Sequence, residues 1–148
     1  MNQKLIFKSN SEKDTENTGF DLAVKGLIKE GDIIALCGDL GAGKTAFTKG
    51  VARFFVPSAI ITSPTFALVN EYAINRSSKF FHFDMYRITT EEDLLSIGFF
   101  DFLSEKNIII IEWYENIERF FDEVTAKIII EKTEDENSRR IIYINPLI

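Results

Sequence analysis

The stretch Gly38-Asp39-Leu40-Gly41-Ala42-Gly43-Lys44-Thr45 has the make-up of a phosphate cradle. It fits the pattern G-x-x-x-x-G-K-[ST], in which glycines let the backbone curl until successive N–H groups face phosphate oxygens. A helix beginning near Lys44 would bring its positive dipole end to the same spot. Lys44 is then placed to neutralise the β- and γ-phosphates, and the Thr45 hydroxyl to ligate Mg²⁺. A nucleoside triphosphate site is the expectation.

Such a cradle needs carboxylates for magnesium and for the attacking water, typically at the carboxyl ends of neighbouring strands. Glu112 follows the apolar run Ile108 to Ile111, and Asp84 follows Phe80-Phe81-His82-Phe83. Either carboxylate alone is what a strand carries where it emerges into solvent; together with the phosphate loop they form a constellation. Spacing does not say which of them holds magnesium and which orients water. His82, flanked by Phe81 and Phe83, reads as a hydrogen-bonded structural histidine rather than an acid–base catalyst. Cys37 reads as a small buried filler. Trp113 is either core or an aromatic beside the site. Arg139-Arg140 could contact nucleotide, but a basic pair on a late strand is usually just solvated.

The elements that must position these residues alternate in period between strand and helix, which predicts an α/β domain. A short strand is expected over Lys4–Lys8. A helix is expected from Ser11 to about Lys29, opened by a Ser/Asp/Thr-rich cap and ended by Gly31. Asp32–Cys37 is a compact apolar run, the mark of a strand buried on both faces. Lys44–Phe55 fits a helix stopped by Pro57. Beyond the Ser63-Pro64-Thr65 loop, Phe66–Ile74 and Lys79–Phe83 read as strands joined by the hairpin turn Asn75-Arg76-Ser77-Ser78. Short helices are expected at Glu91–Ser96 and Phe99–Ser104, and strands at Ile108–Ile111, Ala126–Glu131 and Arg139–Ile144. The sum is a P-loop NTPase-like single domain spanning residues 1–148, with a mixed, mainly parallel sheet flanked by helices.

Composition agrees. At 148 residues, 45% hydrophobic and 27% charged, the chain is long enough for one real core. With 17 basic against 23 acidic residues and a net charge of −6, it lacks the cationic excess that sequence-blind nucleic-acid binding requires. One cysteine and one histidine exclude an intramolecular disulfide and a structural zinc site of thiolates and imidazoles. No apolar run approaches the roughly 20 residues of a membrane-spanning helix. The opening MNQKLIFKSN has no long apolar core after its lysine, unlike a signal peptide. The expected location is the cytoplasm.

Several segments beyond the phosphate loop carry a resemblance. Ser63-Pro64-Thr65-Phe66 followed by Leu68-Val69-Asn70-Glu71-Tyr72 resembles SPT[FY]-x-L-V-x-x-Y. His82-Phe83-Asp84-Met85-Tyr86-Arg87 resembles H-x-D-x-Y-R, and Ile111-Glu112-Trp113 resembles [IV]-E-W. With Ser11-Glu12, Thr15 and Gly98, these run in the order found in the TsaE family, small bacterial P-loop ATPases needed for threonylcarbamoyladenosine formation in tRNA. The resemblance implies that the loop from Gly38, with Gly41, Ala42, Gly43, Lys44 and Thr45, holds the phosphates of ATP. It implies Mg²⁺ on Thr45 and Glu112, Asp84 close by and needed for hydrolysis, and Thr65 in a mobile, switch-like segment near the γ-phosphate. It further implies an ATPase that is weak alone and works with the TsaB–TsaD pair, reaching tRNA only through that complex. The chain departs from the family at Ala46, where a second Thr or Ser is common, which leaves only a backbone contact there. It also departs at Tyr114, where Pro is frequent. After Trp113 the likeness is general, so the adenine pocket is not placed.

Two alternatives stand beside this. A small-molecule kinase on the same loop would need a lid with clamping arginines, but between the loop and the last strand Arg53, Arg76, Arg87 and Arg119 are scattered. A nucleotide-binding adaptor with little turnover is the other; Asp84 and Glu112 favour turnover over mere binding. A regulatory GTPase is disfavoured because no N-K-x-D segment appears.

Overall fold

The computed structural model describes residues 3–64 and 68–145. Strands β1 (Gln3–Ser9), β2 (Ile33–Cys37), β3 (Val69–Ala73), β4 (Lys79–Asp84), β5 (Ile108–Glu112), β6 (Ala126–Lys132) and β7 (Arg139–Asn145) alternate with helices α1 (Glu12–Val24), α2 (Lys44–Phe55) and α3 (Glu91–Ser96). All seven strands join one sheet in the order β1-β7-β6-β2-β5-β4-β3. Its centre is parallel, with β2 paired to both β5 and β6 and β5 to β4. The pairings β1–β7, β6–β7 and β3–β4 are antiparallel. The sheet is therefore mixed, as expected, and antiparallel pairing is as frequent as parallel among the described residues.

The run Ile108 to Ile111 shows why the sheet is covered on both sides. Alternate residues of a strand face opposite ways. Ile108 and Ile110 join one core cluster with Phe47 and Val51 of α2 and Leu22 of α1. Ile109 and Ile111 join the other, with Phe83, Leu94, Phe99 and Phe121. The two long helices thus lie on one face, and short elements cover the other.

Most strand ends differ from the sequence expectation by a single residue, and three elements differ by more. Helix α1 stops at Val24, not Lys29: Gly26 turns left-handed at φ 74°, and the amides of Gly26 and Leu27 donate back to the carbonyls of Ala23 and Leu22. That C-terminal turn lets Ile28 re-enter the core, which the helical period mimicked. Gly31 instead serves a close approach, since a Cβ there would lie 2.7 Å from the Glu105 carbonyl oxygen. The Phe99–Ser104 segment is a single 3₁₀ turn over Phe99–Phe102. Strand β3 begins at Val69; Phe66 and Thr65 lie outside the described residues. No helix among the described residues is long and apolar enough to cross a membrane.

Candidate functional site

The loop between β2 and α2 forms one wall of a cavity of about 470 Å³. Gly41, Ala42, Gly43, Lys44, Thr45 and Ala46 line it, together with Asp84, Glu112 and Trp113. Gly43 is the N-cap of α2 at φ 113° and offers no side-chain cap. The first-turn amides of α2 therefore depend on a partner other than a capping side chain, which is the usual state of an anion-binding helix start.

The carboxylates arrive through strand register. In β4–β5 Asp84 stands opposite Glu112, and in β2–β5 Leu36 stands opposite Glu112. Both acids thus sit at carboxyl strand ends on one side of the strand that feeds the phosphate loop, Glu112 on its neighbour β5 and Asp84 one strand further out on β4. Glu112 is buried at 4% exposure, and a carboxylate so deep needs a donor. The fully buried His82 supplies it through Nε2, hydrogen-bonded to Glu112 Oε2. His82 Nδ1 is buried with no hydrogen-bond partner among the described residues, which suits the neutral ring with its proton on Nε2, donating to Glu112. The structural reading of His82 holds, with a specific task attached. Asp84 is half-buried; burial pushes its carboxyl above the usual range, against the Tyr86 amide that donates to its Oδ1 at 2.9 Å.

Lys44 is buried at 6% exposure. Its ammonium donates to the carbonyl of Gly38 and, at 3.4 Å, to that of Asp39, and lies 3.8 Å from the centre of the Trp113 ring. Burial holds its pKa below the usual lysine value, opposed by the carboxylates of Glu115, Glu112 and Asp84. Trp113 takes a left-handed φ of 58°, the one non-glycine to do so among the described residues. It lines the site and also packs against the second core cluster, so both readings of Trp113 apply. Cys37 is a buried filler as expected, its thiol pushed up to about 12 chiefly by burial.

The sequence of the chain matches known proteins over most of its length. The family described as Threonylcarbamoyl adenosine biosynthesis protein TsaE matches residues 9–142. A protein of Rickettsia typhi named tRNA threonylcarbamoyladenosine biosynthesis protein TsaE is 37% identical over 140 residues, covering 91% of this chain and 90% of that protein. The chain belongs to the TsaE family. A Treponema pallidum TsaE is 35% identical over 87% of this chain and 93% of its own length. The crystal structure of Bacillus subtilis YdiB superimposes with a TM-score of 0.75 at 28% identity, covering 98% of this chain and 87% of that one.

Within this TsaE-family fold, residues outside the phosphate loop and the acidic segments also reach the loop or its cavity. Arg139 lines the cavity, donating from Nε to the Ala42 carbonyl at 3.0 Å. It is therefore not the merely solvated residue its sequence setting suggests, whereas Arg140 does pair at the surface with Glu131. Ser11, Glu12 and Thr15 of the α1 start also reach the cavity; Ser11 is the N-cap, accepting from the Asp14 amide at 3.0 Å. Glu115 accepts from the Gly38 amide at 3.3 Å. In the sequence Arg139 is a candidate only as half of a basic pair; sheet order brings it to the loop, whereas Glu115 arrives on the 3₁₀ turn that follows β5. Tyr114 begins a 3₁₀ turn, and its buried hydroxyl donates to the Phe121 carbonyl. Thr65 lies outside the described residues.

Proposed function

We propose that the chain binds ATP with Mg²⁺ and hydrolyses it to ADP and phosphate, as the ATPase of threonylcarbamoyladenosine formation in tRNA. The observation that carries the reading is the convergence of Lys44, Thr45, Asp84 and Glu112 on one cavity at the start of α2. Family membership supplies the biological setting. In this reading the amides of Gly41, Gly43, Lys44, Thr45 and Ala46 cradle the phosphates, those of Gly38 and Ala42 being engaged by Glu115 and the Asp39 carbonyl, and the Lys44 ammonium leaves its carbonyl partners for phosphate oxygens. The donor set suits magnesium, which takes one or two carboxylates and completes its shell with phosphate oxygens and water. Thr45 and Glu112 would hold it, and it would supply charge neutralisation on the transferred phosphoryl group. Asp84, beside them, would orient the attacking water. Trp113 shields one side of Lys44, and His82 keeps the buried Glu112 carboxylate aligned.

The protein would act with the TsaB–TsaD pair and reach tRNA through it, in the cytoplasm. The kinase alternative gains nothing from the geometry: Arg139 is the one arginine lining the cavity among the described residues, and it is tied to loop carbonyls.

Steady-state ATP hydrolysis with Mg²⁺, with and without TsaB–TsaD, tests this. Stimulation by the pair, abolished in Lys44→Ala and Glu112→Ala, is the expected result. Hydrolysis that ignores the pair but rises with a small-molecule acceptor would replace this reading with the kinase.

A further inference from the structure

The turn between β6 and β7 is tied to the phosphate loop by two cations. Lys132, the last residue of β6, donates from Nζ to the Leu40 carbonyl at 2.7 Å. Arg139, the first residue of β7, donates from Nε to the Ala42 carbonyl at 3.0 Å and from Nη2 to the Gly41 carbonyl at 3.4 Å. Three successive loop carbonyls are thus engaged from one side. The guanidinium is itself held, since Nη1 donates to the carbonyls of Glu136 at 2.7 Å and Ser138 at 2.8 Å. Sheet order explains the arrangement. Because β6 lies parallel to β2, with Cys37 opposite Ile129, the chain leaving β6 runs beside the chain leaving β2. Contact is close there too: a Cβ on Gly38 would lie 2.7 Å from the Ile130 carbonyl oxygen.

We propose that this hairpin is a clamp that presets the phosphate loop, with Lys132 and Arg139 as positioning residues. In a trans peptide the C=O and the following N–H point in opposite directions, and no described peptide here is cis. Drawing the carbonyls of Leu40 and Ala42 toward the hairpin therefore turns the amides of Gly41 and Gly43 away from it. A glycine-rich loop left to itself loses more entropy on ordering than any other sequence. A loop ordered before the ligand arrives binds more tightly, because that cost is met in folding. Lys132 does not line the cavity, so its effect runs through the loop and not through ligand contact. The proposal rests on the nucleotide reading for its consequence, but the clamp itself is a property of the free protein.

The test uses Lys132→Met, Arg139→Met, the double variant, Arg139→Lys, and Arg140→Met as a control that removes equal charge from the neighbouring residue. Backbone amide exchange is measured for residues 38–45 in the free protein, and ADP–Mg²⁺ affinity by calorimetry. Thermal unfolding confirms that each variant folds. The clamp predicts at least fivefold faster exchange in that loop for the double variant and about fivefold weaker ADP binding for Lys132→Met. Arg139→Lys should recover part of each effect, and Arg140→Met should stay within twofold of wild type. Unchanged loop exchange in a folded double variant would overturn the clamp whatever the affinities. If exchange rises but the wild type does not bind ADP, the clamp stands and the nucleotide reading falls.

Discussion

Substituting Gly50 by alanine sets two familiar effects against each other. Gly50 lies inside α2, where alanine is the better helix former by about 1 kcal/mol. Propensity alone therefore predicts a more stable protein. Packing predicts the reverse, because a Cβ on Gly50 would fall 1.8 Å from the Glu16 carbonyl oxygen, 2.7 Å from its carbonyl carbon and 3.0 Å from the Phe20 nitrogen. All three are backbone atoms of α1, so no rotamer change can relieve the contact. An ordinary carbon–oxygen approach is about 3.3 Å or longer, so the two helices would have to separate locally by about 1.5 Å. Gly19 makes the reciprocal approach, with a Cβ there 2.4 Å from the Phe47 carbonyl oxygen. Overpacking of this kind costs about 1–3 kcal/mol, and rigid backbone on both sides places it at the upper end. Against the gain in propensity, a net loss of about 2 kcal/mol is expected, or about 4–8 °C in melting temperature. The displacement also matters to the site, because α1 carries Ser11, Glu12 and Thr15 into the cavity. Thermal unfolding of Gly50→Ala beside wild type is the assay, with ADP binding as the companion measurement. A melting temperature equal to or above wild type would refute the argument that backbone contact between α1 and α2 decides this position.

Two further perturbations address the acidic pair. His82→Ala leaves the buried Glu112 carboxylate without its imidazole donor, so a loss of about 1.5–3 kcal/mol is expected, partly recovered by a His82→Gln variant that keeps an N–H donor; denaturant unfolding that finds the alanine variant as stable as wild type would remove His82 as the anchor of Glu112. Burial raises the Asp84 carboxyl above its ordinary range, so the folded state binds its proton more tightly than the unfolded chain does. Stability therefore declines as pH climbs from the ordinary carboxylate value through the raised one, and the penalty is fully present above both. Asp84→Asn should then melt no lower than wild type at pH 8 while losing ATP turnover, and a clearly lower melting temperature would mean that the carboxylate supports the fold.

What the sequence by itself determines is what lies within a few residues of itself. The phosphate loop, its lysine and threonine, and the bounds of α2 are local matters of glycine placement and helical period, and α2 runs from Lys44 to Phe55 as read. The alternation of the β5 isoleucines likewise makes a doubly covered strand legible. Period cannot show where a backbone leaves its helix while its side chains stay in the core, so Leu27 and Ile28 mimic a continuation of α1 past its end at Val24. Tertiary structure decides which distant residues share the cavity. Asp84 meets Glu112 because β4 and β5 pair in parallel in that register, and the sequence supplied candidates for that pairing but not its geometry. Arg139 carries no marker beyond its basic pair; it reaches the loop because β6 lies against β2 and β7 returns beside β6. Strand order is a property of the whole sheet, set by how both faces are buried at once, and so the residues it brings together are readable only after the chain has folded.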